Sequence, residues 1–427
     1  MSGKNEQIQD LKLIFRTLKY RNYRLFFGGQ IVSLIGTWIQ MIAMSWLVYQ
    51  MTNSAFMLGL VGFFSGIPIF LFAPFAGVIA DRWNRYKLIL LTQTLLMLQS
   101  GMVAVLIFTG AISIWNIIAL GIFGGIVNAF DMPVRQAFVI DMIEKEEDLG
   151  NAIALNSVLV NIARLVGPAI AGILVALIGE GWCFLINTIS FVAIIGSLLA
   201  MKIKTHKREQ KRNSPLDELK NGFKYAFGFP PIRTILIVLA IISIMGMPYQ
   251  VLMPVFAKNV FSGGSHSLGF LLGAAGLGSL AGGIFMASRK SVLGTTMLIA
   301  VSALIFGSGL AVFSFSKIFW LSLFILFFIG FGMMVNMTSC NTILQTISDD
   351  DKRGRVMSFY SMSFMGMAPF GSLLAGTLAN GIGVYYTILS GGCVCIITGL
   401  YFAYKLPSLR KLIRPIYIRK EIIEVEP

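Results

Sequence analysis

The chain has 427 residues, 56% of them apolar and only 12% charged, and its formal net charge is +15. That charged fraction is about half of what soluble domains carry, so a soluble globular enzyme is excluded. No phosphate-cradling nucleotide loop occurs, and His206 and His266 are the two histidines, which argues against an ATP-driven pump and against a membrane metalloenzyme.

Crossing the hydrocarbon core takes about 20 apolar residues. Twelve runs qualify: 25–49, 56–80, 88–109, 112–134, 153–178, 182–201, 233–257, 268–287, 293–313, 318–345, 356–380 and 384–404. They are numbered here as spans 1 to 12. The first is too long for a signal-peptide core and lacks a small-residue cleavage site, so it is expected to be retained.

With the N-terminus inside, Lys and Arg fall before Leu25, in the turns 81–87 and 135–148, in the segment 202–233, at Arg289 and Lys290, at 352–355 and after Tyr404. Only Lys258 and Lys317 fall outside. This is the positive-inside pattern. It predicts a multi-pass membrane protein with both termini cytoplasmic. It also sets the basic surplus against anionic lipid headgroups rather than nucleic acid.

Span 1 has no acid and carries a polar stripe, Ser33, Thr37 and Gln40. Spans 2 and 3 are joined by GVIADRWNRYK, residues 77–87, which packs Asp81, Arg82, Arg85 and Lys87 into a turn too short to leave the membrane surface. Span 4 holds the deepest acid, Asp131, one helical turn before Arg135. A partly buried carboxylate can carry a proton, whereas an i,i+4 ion pair opposes that role; both readings stand.

Span 5 carries ARLVGPAIAG, residues 163–172. Its Gly-Pro pair removes a backbone bond and permits a bend, and its small residues let another backbone approach. Arg164 is the one basic residue deep in a span, where a charge costs roughly 3 kcal/mol or more unless it faces a cavity or a partner. It shares a face with Ser157, Asn161 and Pro168. An anionic substrate group, a carboxylate or helix carbonyls would each satisfy it.

The connection 202–232 is basic and polar, has no span, and includes an amphipathic stretch at 216–227. It divides the spans six and six. Connections on the other face are short: 52–54, 179–181, 262–266 and 378–383. Span 8 is glycine-rich from 269 to 283, which implies small-residue packing. Cys183, Cys340, Cys393 and Cys395 read as small packing residues, with no metal or disulfide assigned.

The halves are related. An offset of 204 lays Gly150 on Gly354, Gly167 on Gly371, Ala171 on Ala375 and Gly172 on Gly376, each copy following an acidic turn. A weaker echo matches Ala80-Asp81-Arg82 to Ala287-Ser288-Arg289, with the acid lost.

The 77–87 turn, at this place between spans 2 and 3, resembles the loop signature of the major facilitator superfamily of transporters. The runs NAFDMPVRQAF, NAIALNS, RLVGPAIAG and CFLINTISF are similar to its bacterial exporter branch, which includes enterobactin exporters and macrolide-type drug exporters. The resemblance covers roughly residues 20–405. It implies an all-α membrane protein of major facilitator fold, with twelve transmembrane helices in two six-helix bundles. The expected parts are a cytoplasmic segment 1–24, an N-terminal bundle 25–201, a linker 202–232, a C-terminal bundle 233–405 and a cytoplasmic tail 406–427.

The resemblance also implies roles. Gly77, Asp81, Arg82, Arg85 and Lys87 would form a cytoplasmic gate motif, with Asp81 latching toward the start of span 11 near Arg353 and Arg355; a solvated turn charge is the alternative. Gly167, Pro168, Ala171 and Gly172 match the helix-5 exporter motif, although Ala163 and Ala171 stand where that motif prefers glycine; tight packing alone is the alternative. Helices 1, 4, 7 and 10 would line the substrate path, which nominates Thr37, Gln40, Asn128, Asp131, Tyr249, Gln250, Asn336 and Asn341. Asp131, Arg135 and Arg164 are the candidates for coupling or anion recognition. Span 1 lacks the acid that many proton-driven drug exporters of the superfamily keep there.

The function implied is export of a siderophore or amphiphilic drug-like compound by alternating access, with proton antiport and no cofactor beyond the proton gradient. No catalytic residue and no metal are expected. The expected partners are a small-molecule substrate and membrane lipids, with no nucleic acid and a monomeric state. A lysophospholipid flippase is the alternative within transport, and a non-transporting membrane receptor the alternative outside it.

Overall fold

The computed structural model describes residues 16–143, 145–202, 215–289, 291–349 and 352–423, with the side chains at 73–82, 146, 157, 161 and 215–221 excepted. All regular structure among them is helical. Span 1 is Arg21–Thr52, span 2 Ala55–Arg82, span 3 Arg85–Phe108 and span 4 Ile114–Asp141. Spans 5 and 6 are the two arms of Leu149–Leu199, broken at Gly179, whose φ of 81° suits a residue without a Cβ. Span 7 comprises Pro230–Met245 and Tyr249–Val255 and ends in a π-helical turn, Phe256–Val260. Spans 8, 9 and 10 are Ser265–Ala287, Thr295–Phe315 and Phe319–Ile347. Span 11 comprises Arg353–Ser361, a π-helical turn Met362–Gly366, and Ala368–Ile382; span 12 is Val384–Arg419. Eleven described helices are long and apolar enough to cross a membrane, counting the two arms of Leu149–Leu199 as one.

Local chemistry explains the ends. Asn84 accepts a hydrogen bond from the Lys87 N–H at 3.1 Å, and Ser113 does the same for Asn116 at 3.3 Å, so spans 3 and 4 each begin at a side-chain cap. The expected loop at 378–383 is shorter than the sequence suggested: the helix runs to Ile382 and the chain turns at Gly383 alone, with φ 86°. A glycine there reverses direction in one residue, so nothing before it needs to unwind. Span 12 continues well past the apolar run that ended at 404. Leu406, Leu409, Ile413 and Tyr417 are buried at helical spacing, which carries the helix on as an amphipathic extension.

Much apolar surface stays uncovered, as at Trp320 (76% exposed) and Leu177 (75%). Such surface is a liability in water and the natural outer face in lipid.

The chain divides into two compact units. The first holds described residues 16–51, 67–202 and 264–269; the second holds 52–66, 215–263 and 270–423. The core of the first is a cluster from spans 1, 3, 4 and 6 that includes Tyr23, Phe26, Ile89, Val134, Phe138 and Ile194. Within the second, span 9 packs along spans 10 and 12.

Glycines set the closest approaches. A Cβ on Gly167 would lie 2.5 Å from the Trp38 side chain of span 1. One on Gly172 would lie 2.7 Å from the Gly269 Cα, in the segment of span 8 that belongs to the first unit. Their repeat partners behave alike. A Cβ on Gly371 would lie 2.5 Å from the Ile244 carbonyl oxygen of span 7, and one on Gly376 would lie 2.9 Å from the Gly59 Cα of span 2, inside the second unit. The offset of 204 read in the sequence is therefore a repeated pair of helix crossings.

Candidate functional site

Span 3 places Arg85, Thr92, Gln93, Gln99 and Ser100 about seven residues apart, which keeps them on one face. All five are buried in the first unit, and they build three polar levels.

At the first level Arg85 donates to the Ala137 carbonyl (3.1 Å) and lies 3.3 Å from Asp141 Oδ1. It ties the start of span 3 to the end of span 4.

The second level centres on Asp131, which is 2% exposed. Its Oδ1 accepts from Thr92 Oγ1 at 2.6 Å and from Gln93 Nε2 at 2.7 Å. Its Oδ2 accepts from Arg135 Nε at 3.1 Å, with Arg135 Nη2 closer still. A carboxylate is affordable in so dry a place because a paired cation and neutral donors replace its water. Gln93 Oε1 is buried here without a hydrogen bond.

The third level is an amide network. Gln40 Nε2 donates to Gln99 Oε1 at 3.1 Å, Asn187 Nδ2 donates to Gln40 Oε1, and Ser100 donates to the Phe184 carbonyl at 2.9 Å. It joins spans 1, 3 and 6.

The other residues read from the sequence fall as follows. Thr37 and Asn128 are exposed and bond only locally, to the carbonyls of Ser33 (2.8 Å) and Gly124 (2.9 Å) in the bonds resolved. Arg164 is half-buried and is not a free charge. Lys87 is exposed. Gly77, Asp81 and Arg82 lie outside the described side chains, so the Asp81 latch does too. Gly167, Pro168, Ala171 and Gly172 are packed at the helix crossings already given, with Ala171 fully buried.

In the second unit, Tyr249 is buried edge-on to Phe306, with ring centroids 6.3 Å apart. The crevice lined by Met245, Tyr249, Leu310 and Thr387 has about 10 Å³ of room, one water's worth. Asn336 is buried and donates to the Ile299 carbonyl (2.9 Å) and to Ser302 Oγ (3.1 Å) of span 9. Gln250 is exposed, and Asn341 accepts from Gln345 at 2.6 Å. Ser243 in span 7 donates to the Phe364 carbonyl at 2.5 Å, in the π turn of span 11. A π turn loosens the regular backbone pattern, which leaves such a carbonyl open to a neighbour.

Sequence reasoning missed Thr92, Gln93, Gln99, Ser100 and Asn187. The signal was present as the seven-residue spacing of polar side chains in span 3. The contrast between the units is sharp: the buried acidic and basic residues described, Arg85, Asp131 and Asp148, all belong to the first. No group of three or more His, Cys, Asp or Glu that would hold a metal occurs among the described residues.

A twelve-span helical protein with polar and ionised groups inside its bundles is built as a membrane transporter, because intramembrane charge is kept where it does work. The chain belongs to the major facilitator superfamily: the family described as "Transmembrane secretion effector" matches residues 14–414. It is 29% identical to the staphyloferrin A transporter of Staphylococcus aureus (strain NCTC 8325 / PS 47), over 89% of this chain and 95% of that one. It is 25% identical to the multidrug efflux pump Tap of Mycolicibacterium fortuitum, over 88% and 93%. Enterobactin and macrolide exporters stand among the further relatives. In fold it is similar to an inward-facing, occupied crystal structure of a bacterial homologue of the human lysosomal transporter Spinster, with TM-score 0.69, 15% identity and coverage of 92% and 98%. The resemblance read from the 77–87 turn and the span 4 to span 6 motifs is thus correct, and the chain is a multi-pass transporter of the exporter kind rather than an enzyme.

Proposed function

We propose that this protein exports a small amphiphilic compound, a siderophore or a drug-like molecule, by alternating access driven by proton antiport. The relatives named for staphyloferrin A and for multidrug efflux support the substrate class. The observation that carries the drive is Asp131, a buried carboxylate whose charge is balanced by Arg135 one turn away. Ionised Asp131, held by Arg135, accepts a cationic or hydrogen-bond-donating group of the substrate; a proton arriving at the carboxylate discharges it and releases that group, and loss of the proton restores the site for the next substrate. Proton and substrate compete for one carboxylate, which is the requirement for exchange. Thr92 and Gln93 hold the carboxyl in place through both states, and Gln93 accepts from the protonated form once its amide turns. Arg164 is assigned to anion recognition, and Thr37, Gln40 and Asn128 to the substrate path. The bundle boundaries 25–201 and 233–405 are the moving bodies. The protein works as a monomer in the plasma membrane, with both termini cytoplasmic and no cofactor.

A direct test uses everted vesicles with an acid interior reported by a quenched acridine dye. Adding ethidium or the host's own siderophore should collapse the gradient in vesicles carrying the protein and not in Asp131→Asn vesicles. Span 1's lack of an acid favours a second reading, lipid movement. Uptake of a fluorescent lysophospholipid with no proton movement would replace the first reading by the second.

A further inference from the structure

The same pair of residues precedes the first span of each half, Lys19-Tyr20 before span 1 and Lys224-Tyr225 before span 7. In the first unit the Tyr20 hydroxyl donates to Asp148 Oδ2 at 2.6 Å, Lys19 Nζ lies 2.8 Å from the same oxygen, and Arg16 Nε lies 2.5 Å from Oδ1. Asp148 is 1% exposed and immediately precedes span 5. Two further bonds lie along the first turn of that span: Thr17 Oγ1 to Asn151 Oδ1 (3.0 Å) and the Tyr23 hydroxyl to the Ala152 carbonyl (2.9 Å).

The second unit repeats the arrangement. The Tyr225 hydroxyl donates to Asp349 Oδ2 at 3.0 Å and accepts from the Asp349 N–H at 3.1 Å. Asp349 lies in the turn before span 11, the repeat partner of span 5. The cations differ in origin. Lys352 Nζ sits 4.7 Å over the Tyr225 ring, and the ion pair to Asp349 Oδ1 comes from Arg419 at 3.0 Å, in the last turn of span 12. Lys420 Nζ donates to the adjacent Ser348 carbonyl at 3.0 Å.

We propose that these are two copies of one device, a tyrosine–carboxylate clasp that fastens the segment leading into each half to the head of that half's fifth span. In the second half, the end of span 12 is its bolt. The lead-in segment and the fifth span therefore move as one body, and the grip of Arg419 on Asp349 sets how freely span 11 moves. The two clasps are unequal by design. The first is closed by cations of its own lead-in segment around a buried acid. The second leaves Asp349 at 37% side-chain exposure and Arg419 at 63%, so it is the one that opens first.

The opening is mechanical rather than a protonation. The hydrogen bond from Lys19, then that from Tyr20, holds the Asp148 carboxyl below the usual range. The hydrogen bond from Tyr225, then Arg419, does the same for Asp349. Both acids stay ionised at any pH a cell meets.

Hydrogen exchange on the full-length protein in lipid nanodiscs tests this without a substrate. Arg419→Gln should speed amide exchange about fivefold at 348–358 and, the telling part, at 222–229, whose described link to Arg419 runs through Asp349 and Tyr225. Arg419→Lys should restore most of the protection. Tyr225→Phe should act on the same two segments and on 412–420, and leave 16–24 unchanged. Tyr20→Phe should act on 16–24 and 148–155 alone. Exchange that rises only beside the substituted residue, or evenly over the whole chain, would overturn the clasp.

Discussion

Asp131 is the residue on which the proposed exchange turns, and its neighbours make it testable. Arg135→Ala would strand a buried carboxylate, which costs about 3–5 kcal/mol. A lower melting temperature in detergent should follow, and the added change Asp131→Asn should recover much of it, because a neutral amide needs no counter-ion. If the double variant melts no higher than the single one, the pair is not what holds this level together. The clasp acids give a pH prediction of definite sign. Their carboxyls titrate lower folded than unfolded, so their contribution is complete above the ordinary carboxylate range, near pH 4, and is lost as pH falls through the depressed folded values. Exchange protection at 148–155 and 348–358 should be flat from about pH 6 to 8 after correction for intrinsic rate, and should fall only below about pH 4. Asp131 and Arg135 were legible in the sequence because a charge in an apolar run stands out. Thr92, Gln93, Gln99 and Asn187 were not, because neutral polar residues in a span read as tolerated. Tyr249 and Asn336 were nominated for a cavity, and their side chains pack within the second unit. A span that is apolar all round carries no periodic signal of which face turns inward.

At the scale of the helix, glycines decide how closely elements meet. A Cβ on Gly330 would fall 1.9 Å from the Ala275 carbonyl oxygen, and one on Gly278 would fall 1.8 Å from that of Phe327. Spans 8 and 10 thus touch backbone to backbone, which lipid cannot enforce by the hydrophobic effect and which small residues alone permit. Gly330→Ala and Gly278→Ala should each destabilise the protein by at least about 1–3 kcal/mol, read as a lowered melting temperature. Gly150→Ala, where the added carbon meets nothing within 4 Å, is the control and should be near neutral. The repeat of 204 was readable because both crossings in each half need the same small residue at the same place. The continuation of span 12 to Arg419 was not, since the extension is only amphipathic and its partners, the turn at 348–349 and the buried face of the second unit, lie far off in sequence.

For the whole molecule, the two halves share a plan but differ in where buried charge lies. The described buried charges belong to the first unit, and the buried polar groups described in the second, such as Ser243, Ser302 and Asn336, are neutral and bonded mostly to backbone. In the proposed mechanism the drive sits in the first half, and the second supplies shape and packing. The fold class was legible from hydropathy and charge placement because a membrane admits so few architectures. The substrate was not, because recognition rests on a few side chains whose directions no periodicity records. The most direct test of the account separates drive from passage. In cells overexpressing the protein, ethidium efflux should stop when a protonophore is added. Asp131→Asn should lose uphill efflux to the same level while keeping exchange of internal for external ethidium. Uphill efflux that survives both the protonophore and Asp131→Asn would contradict it.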